Sequence, residues 1–256
     1  MTELYRGMDR AALDAAYNNG AAVAGSAQIV AEWRRRSEIA RASSRELRYG
    51  SAERNRIDYF EAKAGAPLLV FLHGGYWQNR EKETFGFIAA GPFAHGISVA
   101  LVGYTLAPEK RLDGIVAEVR AALDFLARPL VVSGWSAGGH LTAMMMGHPN
   151  VRGGLAISGI FDLEPIRLCY LNEKLLLDEQ EARRNSPLLK EDSGKTCVVA
   201  YGTSELPELQ RQSKEYAQRF GHRLLPLADH DHFSILEELA SPQGALTSAV
   251  RTLMDT

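Results

Sequence analysis

The chain has very little cysteine: two of its 256 residues, Cys169 and Cys197. Two thiols cannot build the disulfide framework of a small secreted scaffold, so a reducing, cytoplasmic setting is the default expectation. A surplus of one charge is also missing. Lysine plus arginine number 29 and aspartate plus glutamate 31, for a formal net charge of -2. That balance gives no basic footprint for nucleic acid or an anionic membrane. Long apolar runs are lacking too. The longest, Leu68–Leu72 and residues 97–101, fall far short of the ~20 residues that span a bilayer and read as buried strands. The first residues, MTELYRGMDR, hold early acidic groups and no apolar stretch of the kind a secretory signal needs. No repeat, low-complexity tract or flexible linker divides the chain. Its 46% hydrophobic and 23% charged residues suit a single α/β domain over residues 1–256 with a sizeable core.

What is present is alternation. The first 44 residues read as a helical extension, with helices expected over 9–17 and 28–42. Two extended segments follow, 45–49 and 56–61, as a candidate antiparallel pair. From residue 66 onward strands are expected at 67–72, 97–102, 130–133, 155–158, 196–201 and 222–227. Helices are expected at 84–95, 112–127, after residue 136, at 208–220 and at 242–254. Continuously apolar strands joined by helices indicate a parallel sheet covered on both faces, whose functional groups gather at the strands' carboxyl ends.

Gly134-Trp135-Ser136-Ala137-Gly138 follows one of those strands and precedes a helical run. A G-x-S-x-G stretch between strand and helix forms a sharp turn that lifts the serine oxygen clear of the backbone, which makes Ser136 a candidate nucleophile. Attack on a carbonyl builds charge on oxygen, and backbone N–H groups must be aimed at it. His73-Gly74-Gly75, just after strand 67–72, supplies that loop, so Gly74 and Gly75 are expected to donate together with Ala137. His73 reads as an orienting side chain.

A nucleophile on such a turn takes its acid and then its base from further along the chain. Glu205 stands at the immediate end of strand 196–201. Glu208, one turn into the next helix, is the alternative, and Asp162 at the preceding strand end is a third. His232, beyond the last strand, is the candidate base, with His230 beside it as the other choice. The Asp229-His230-Asp231-His232 pairing resembles a metal site only superficially, because no further cluster accompanies it; no metal or organic cofactor is expected. His140, His95, His148 and His222 read as packing or surface residues, and Met144-Met145-Met146 as core. Tyr76 and Trp77 flank the oxyanion loop as candidate substrate-facing aromatics. Residues 162–195 read as a small helical cap in which Asn172 lines the pocket.

Together these stretches resemble the α/β-hydrolase superfamily and, more narrowly, the kynurenine formamidase (arylformamidase) group with its esterase-like relatives. The narrower resemblance rests on His73-Gly74-Gly75-Tyr76-Trp77, on Gly134 through Leu141, on Ser158-Gly159-Ile160-Phe161-Asp162-Leu163-Glu164-Pro165 and on Asp231-His232-Phe233. It extends through Leu171-Asn172 to Ser186-Pro187 and covers about residues 55 to 240. One departure is the acid: the group usually has aspartate where this chain has Glu205. The resemblance implies an α/β-hydrolase fold and hydrolysis of N-formylkynurenine or of small aryl and acyl esters. The partner expected is a small-molecule substrate; a homodimer is admitted by base rate alone.

Overall fold

The computed structural model describes residues 3–255. Its strands are β1 (Arg45–Arg48), β2 (Arg56–Phe60), β3 (Leu68–Leu72), β4 (Ser98–Val102), β5 (Leu130–Trp135), β6 (Val151–Ile157), β7 (Cys197–Gly202) and β8 (Arg223–Leu227). They form one sheet in the order β1-β2-β4-β3-β5-β6-β7-β8. The β1–β2 and β2–β4 pairs are antiparallel, and every pairing from β4 across to β8 is parallel. β3, β4, β5 and β7 are buried along their whole length, as strands covered on both faces must be. β1 reads RELR and is mostly exposed; its charges discourage another chain from pairing with that edge.

The helices are α1 (Arg10–Ala16), α2 (Asn19–Ala22), α3 (Ser26–Arg41), α4 (Ala90–Ala94), α5 (Leu112–Leu126), α6 (Ala137–Met145), α7 (Glu164–Leu168), α8 (Asn172–Leu175), α9 (Glu179–Arg184), α10 (Pro207–Phe220), α11 (Glu237–Ala240) and α12 (Ala245–Met254). In α5, Ile115, Val119, Ala122 and Leu123 recur at helical spacing and are buried. α10 starts on Pro207 and stops at Gly221, whose φ of 63° provides the left-handed turn that ends the helix. Leu13, Tyr17, Val70, Val119, Leu141 and Leu209 belong to the core on one face of the sheet. Trp33, Phe85, Val99, Val131, Leu236 and Val250 belong to the core on the other.

Three elements differ from expectation. Residues 84–95 form a 3-10 segment, Lys82–Ala89, followed by the short α4. A Cβ on Gly86 would lie 3.0 Å from the Ser37 carbonyl oxygen, so this segment keeps glycine for close approach to α3 at the expense of helix propensity. β6 begins at Val151, ahead of the expected 155–158. Gly153 and Gly154 resemble a turn, yet a Cβ on Gly154 would collide with the Met146 sulfur; glycine is there to admit α6. α2 was not anticipated. Its N-cap is Asn18, whose side chain accepts from the Ala21 N–H.

α3 is tied to the sheet by charge as well as packing. Arg41 Nε lies 2.6 Å from Asp58 Oδ2, and Lys82 Nζ lies 2.7 Å from Asp58 Oδ1. Asp58 and Lys82 are both buried, and each would be costly without the other.

Candidate active site

Ser136 sits between β5 and α6 with φ 59° and ψ −118°. Holding a residue with a Cβ in such a region costs on the order of 1–3 kcal/mol, and the surroundings must supply it. Here the Ser136 N–H donates to the Ile157 carbonyl at 2.8 Å, and the Ser136 carbonyl accepts from His140 at 3.1 Å. The glycines around it are obligatory: a Cβ on Gly138 would overlap the Leu72 carbonyl, and one on Gly134 the Gly138 carbonyl. Ala137 is the first residue of α6, so its N–H has no partner within the helix.

The loop after β3 approaches this turn closely. A Cβ on Gly74 would stand 2.6 Å from the Trp135 ring. Gly75 has a φ of 114°, and a Cβ there would strike the Asn79 carbonyl. Tyr76, Trp77 and Arg80 also have positive φ, at 51°, 58° and 71°. The loop thus coils tightly, with Gly75 and Tyr76 beside Ser136 in the lining of one cavity. His73 braces it: Nδ1–H donates to the Gly74 carbonyl at 2.8 Å, and the His73 carbonyl accepts from the Tyr104 hydroxyl at 2.7 Å. Burial pushes the His73 pKa down to about 3, so the ring is neutral and acts as a strut.

His232 and Glu205 meet across the ends of β8 and β7. The Glu205 Oε2 accepts from His232 Nδ1 at 3.0 Å, which leaves Nε2 as the acceptor nitrogen. Glu205 Oε1 accepts from the Ser158 hydroxyl at 2.6 Å and from the Gly202 N–H at 2.7 Å. Trp135 Nε1 donates to the His232 carbonyl at 2.7 Å, and the two rings lie 4.8 Å apart. Ser136, Glu205 and His232 are all nearly inaccessible, at 2%, 5% and 3% exposure. Ser158 escaped the sequence reading; it lies in the S-G-x-F-D-L stretch, but its link to Glu205 spans 47 positions.

The alternatives are occupied elsewhere. Glu208 pairs with Arg211 and accepts from the Tyr17 hydroxyl. Asp162 accepts from the Tyr5 hydroxyl and from the Glu164 N–H. His230 faces Glu238 at 3.4 Å. Asp231 caps the turn by accepting from Phe233 and Ser234 N–H groups. Among the described residues no cluster of three or more His, Cys, Asp or Glu is placed to hold a metal.

A cavity of about 450 Å³ opens onto Ser136 and His232, lined also by Asn19, Arg34, Gly75, Tyr76, Arg80, Tyr170 and Phe233. Tyr76 faces it, held by donating to the Tyr17 carbonyl at 2.7 Å and accepting from Asn19 Nδ2 at 2.9 Å. The other two expected substrate contacts lie elsewhere. Trp77 is wholly buried, with its ring edge-on to His140 at 4.8 Å. Asn172 closes a loop within its own segment, accepting from Leu177 N–H and donating to Leu177 C=O. Asn19, Arg34 and Arg80 were not foreseen in the cavity; they come from the N-terminal helices and from the far side of the loop.

A mostly parallel sheet of this order, with a strained serine between strand and helix, defines an α/β-hydrolase. Solved structures bear this out: an esterase of Pyrobaculum calidifontis has a TM-score of 0.70 at 17% identity, covering 90% of this chain and 92% of that one. The carboxylesterase EstE1 from a metagenomic library has 0.71 at 19%, covering 90% and 96%. A Silicibacter sp. TM1040 protein, provisionally described as a thioesterase, has a TM-score of 0.89 at 31% identity over 93% of this chain and 98% of that one. A family model designated BD-FAE matches residues 59–225. The kynurenine formamidase of Danio rerio is 34% identical over 227 residues, 78% of each chain. That of Salmo salar is 34% identical over 236 residues, 80% of each. The chain belongs to the BD-FAE family of α/β-hydrolases, in common descent with the kynurenine formamidases, and it is a hydrolase.

Proposed function

We propose that the protein cleaves a small acyl group, formyl above all, from an aryl amide of the N-formylkynurenine type. The observation that carries this is the line from Glu205 through His232 to the cavity that holds Ser136, in a chain related to kynurenine formamidases. In this reading His232 Nε2 takes the Ser136 proton as the oxygen attacks the formyl carbon. The oxyanion is met by the N–H groups of Gly74, Gly75 and Ala137, each worth about 3–4 kcal/mol where such donors have been removed. His232 then passes the proton to the leaving amine, and water releases the acyl group by the reverse path. Tyr76, Tyr170 and Phe233 supply aromatic walls for an aryl leaving group. The free, buried state of Cys169 and Cys197 supports a cytoplasmic setting, and no helix among the described residues is long and apolar enough to cross a membrane.

A short-chain carboxylesterase is the second reading, because ester hydrolysis would use the same groups and the fold neighbours include esterases. Comparison of kcat/KM on N-formylkynurenine with p-nitrophenyl acetate and butyrate separates the two. The formamidase reading expects the formamide to be the best substrate, and a large preference for the esters would overturn it. Ser136→Ala is expected to lower kcat by about 10⁴- to 10⁶-fold on either class while leaving the melting temperature at or above wild type.

A further inference from the structure

The cavity wall carries charge of one sign. Its permanently charged lining residues are Arg34 and Arg80, beside His232, Tyr76 and Tyr170, with no aspartate or glutamate among the lining residues. In a chain whose net charge is -2, this positive wall is a local arrangement. Arg80 is its centre. The side chain is half-buried, and among the described residues no carboxylate lies within 4.0 Å of its guanidinium. Its backbone is held in the left-handed region at φ 71°, and its carbonyl accepts from Arg54 Nη1 at 3.0 Å. The guanidinium rests 5.8 Å from the ring centroids of both Trp135 and Phe233. A guanidinium resting on aromatic faces keeps its N–H edge free, and that fork matches a carboxylate. Among the described residues Arg34, at the exposed rim, reaches only one carboxylate, Glu81, at 3.9 Å. Burial of Arg80, and then the positive charge of Arg34, hold the Arg80 guanidinium below its ordinary pKa, as for a cation without a counter-ion.

We propose that Arg80, with Arg34 at the rim, is the specificity determinant for a carboxylate carried by the leaving group of the substrate. The inference rests on the acyl-hydrolase reading of Ser136 and narrows its substrate class from aryl amides and esters in general to those whose leaving group bears a carboxylate. A formyl or acetyl group is too small to carry the charge, so the carboxylate must sit on the part that departs. The structural alternative is that Arg80 serves only to pack Trp135 and Phe233. In that case its loss would act on all substrates alike.

The test uses two matched pairs, one independent of formamide chemistry. 3-Acetoxybenzoate and phenyl acetate differ only in the carboxylate on the leaving group. N-formylkynurenine and its decarboxylated analogue differ in the same way. For Arg80→Gln, kcat/KM on the carboxylated member of a pair is expected to fall by about 10- to 100-fold, with neutral phenyl acetate within about twofold of wild type and the decarboxylated formamide, an ammonium cation, showing no loss. Arg80→Lys, which keeps the charge, should recover part of the loss, and Arg34→Gln should give a smaller loss of the same selectivity. Equal losses on both members, or none, would overturn the proposal. A second measurement needs no variant: 4-phenylbutyrate should inhibit the wild-type enzyme at least about tenfold more tightly than the isosteric 4-phenylbutyramide, because only the anion can take the charged hydrogen bonds. Equal inhibition would overturn it as well. Failure to hydrolyse either formamide would count against the formamidase reading alone, since the ester pair and the inhibitors report the carboxylate site by themselves.

Discussion

At the scale of single residues, the fit of Glu205 to its surroundings is the most informative feature. Glutamate has one more methylene than aspartate, so its carboxylate needs more than the histidine to fix it. Ser158 and Gly202 provide this by donating to Oε1 while His232 donates to Oε2. Ser158 has a φ of 51°, which aims its hydroxyl out of the β6 line toward β7. Ser158→Ala should therefore lower kcat by about 10- to 150-fold, the range expected for losing a hydrogen bond to a charged group, with KM unchanged because the hydroxyl is not among the cavity lining. Phosphonylation of Ser136 by a fluorophosphonate should slow by the same factor; an unchanged labelling rate would refute a positioning role. Such residues mark where sequence reading ends. The G-x-S-x-G and H-G-G stretches are legible because the turns they make are local and depend on glycine. The Ser158–Glu205 contact joins two strand ends and has no period to betray it. Trp77 and Asn172 were misread for a related reason: proximity in sequence to a loop does not say which way a side chain faces.

At the scale of elements, α3 carries more than its place outside the strand–helix alternation suggests. Its Trp33 is buried at 1% exposure and packs 5.5 Å edge-on to Trp135, 5.3 Å from Phe87 and 5.9 Å from both Phe85 and Phe233. The strand that presents Ser136 is thus supported from below by the N-terminal helix. Trp33→Ala should cost about 3–5 kcal/mol, as for other large-to-small changes in a packed core, read as a lower midpoint in chemical denaturation. The surviving folded enzyme should lose activity on every substrate alike, which separates this effect from that of Arg80. Helix α5 and strands β3 and β4 were plain in the sequence, since apolar period and burial coincide there. The 3-10 segment and the start of β6 were not. Gly86, Gly153 and Gly154 look like breaks in a pattern when read along the chain. In the fold, Gly86 admits α3 and Gly154 admits the sulfur of Met146, the residue that caps α6, information that resides in the partner element.

At the scale of the whole molecule, two buried histidines, His73 and His140, set part of the response to pH. His73 is stacked on Tyr104 at 4.2 Å. Among the described residues its Nε2 has no hydrogen-bond partner, and nor does His140 Nδ1. His140 Nε2–H donates to the Asn185 carbonyl at 2.7 Å beneath Trp77. Burial pushes their pKa values down, to about 3 for His73 and about 4 for His140, from 6.5. The folded state therefore refuses protons that the unfolded chain accepts, and stability rises with pH wherever the unfolded state binds more. Their contribution is complete above 6.5 and is lost as pH falls from there toward the folded values. By pH 4.5 the loss amounts to roughly 2–3 kcal/mol from each, at about 1.4 kcal/mol per unit. Against a total of about 5–15 kcal/mol, that is a substantial share, so stability falls in mild acid. Carboxylates act in a separate window. Glu118, where burial is outweighed by bonds from Lys110 and Thr105, is held below 4.5, so its contribution is lost only as pH falls through 4.5 and lower. Denaturation midpoints measured from pH 7 to 4.5 should thus fall steadily. His140→Gln, which keeps a donor toward Asn185 without a titrating ring, should flatten that slope by about half. A midpoint constant across this range, or a slope unaltered in the variant, would mean that these rings take up protons without unfolding the protein.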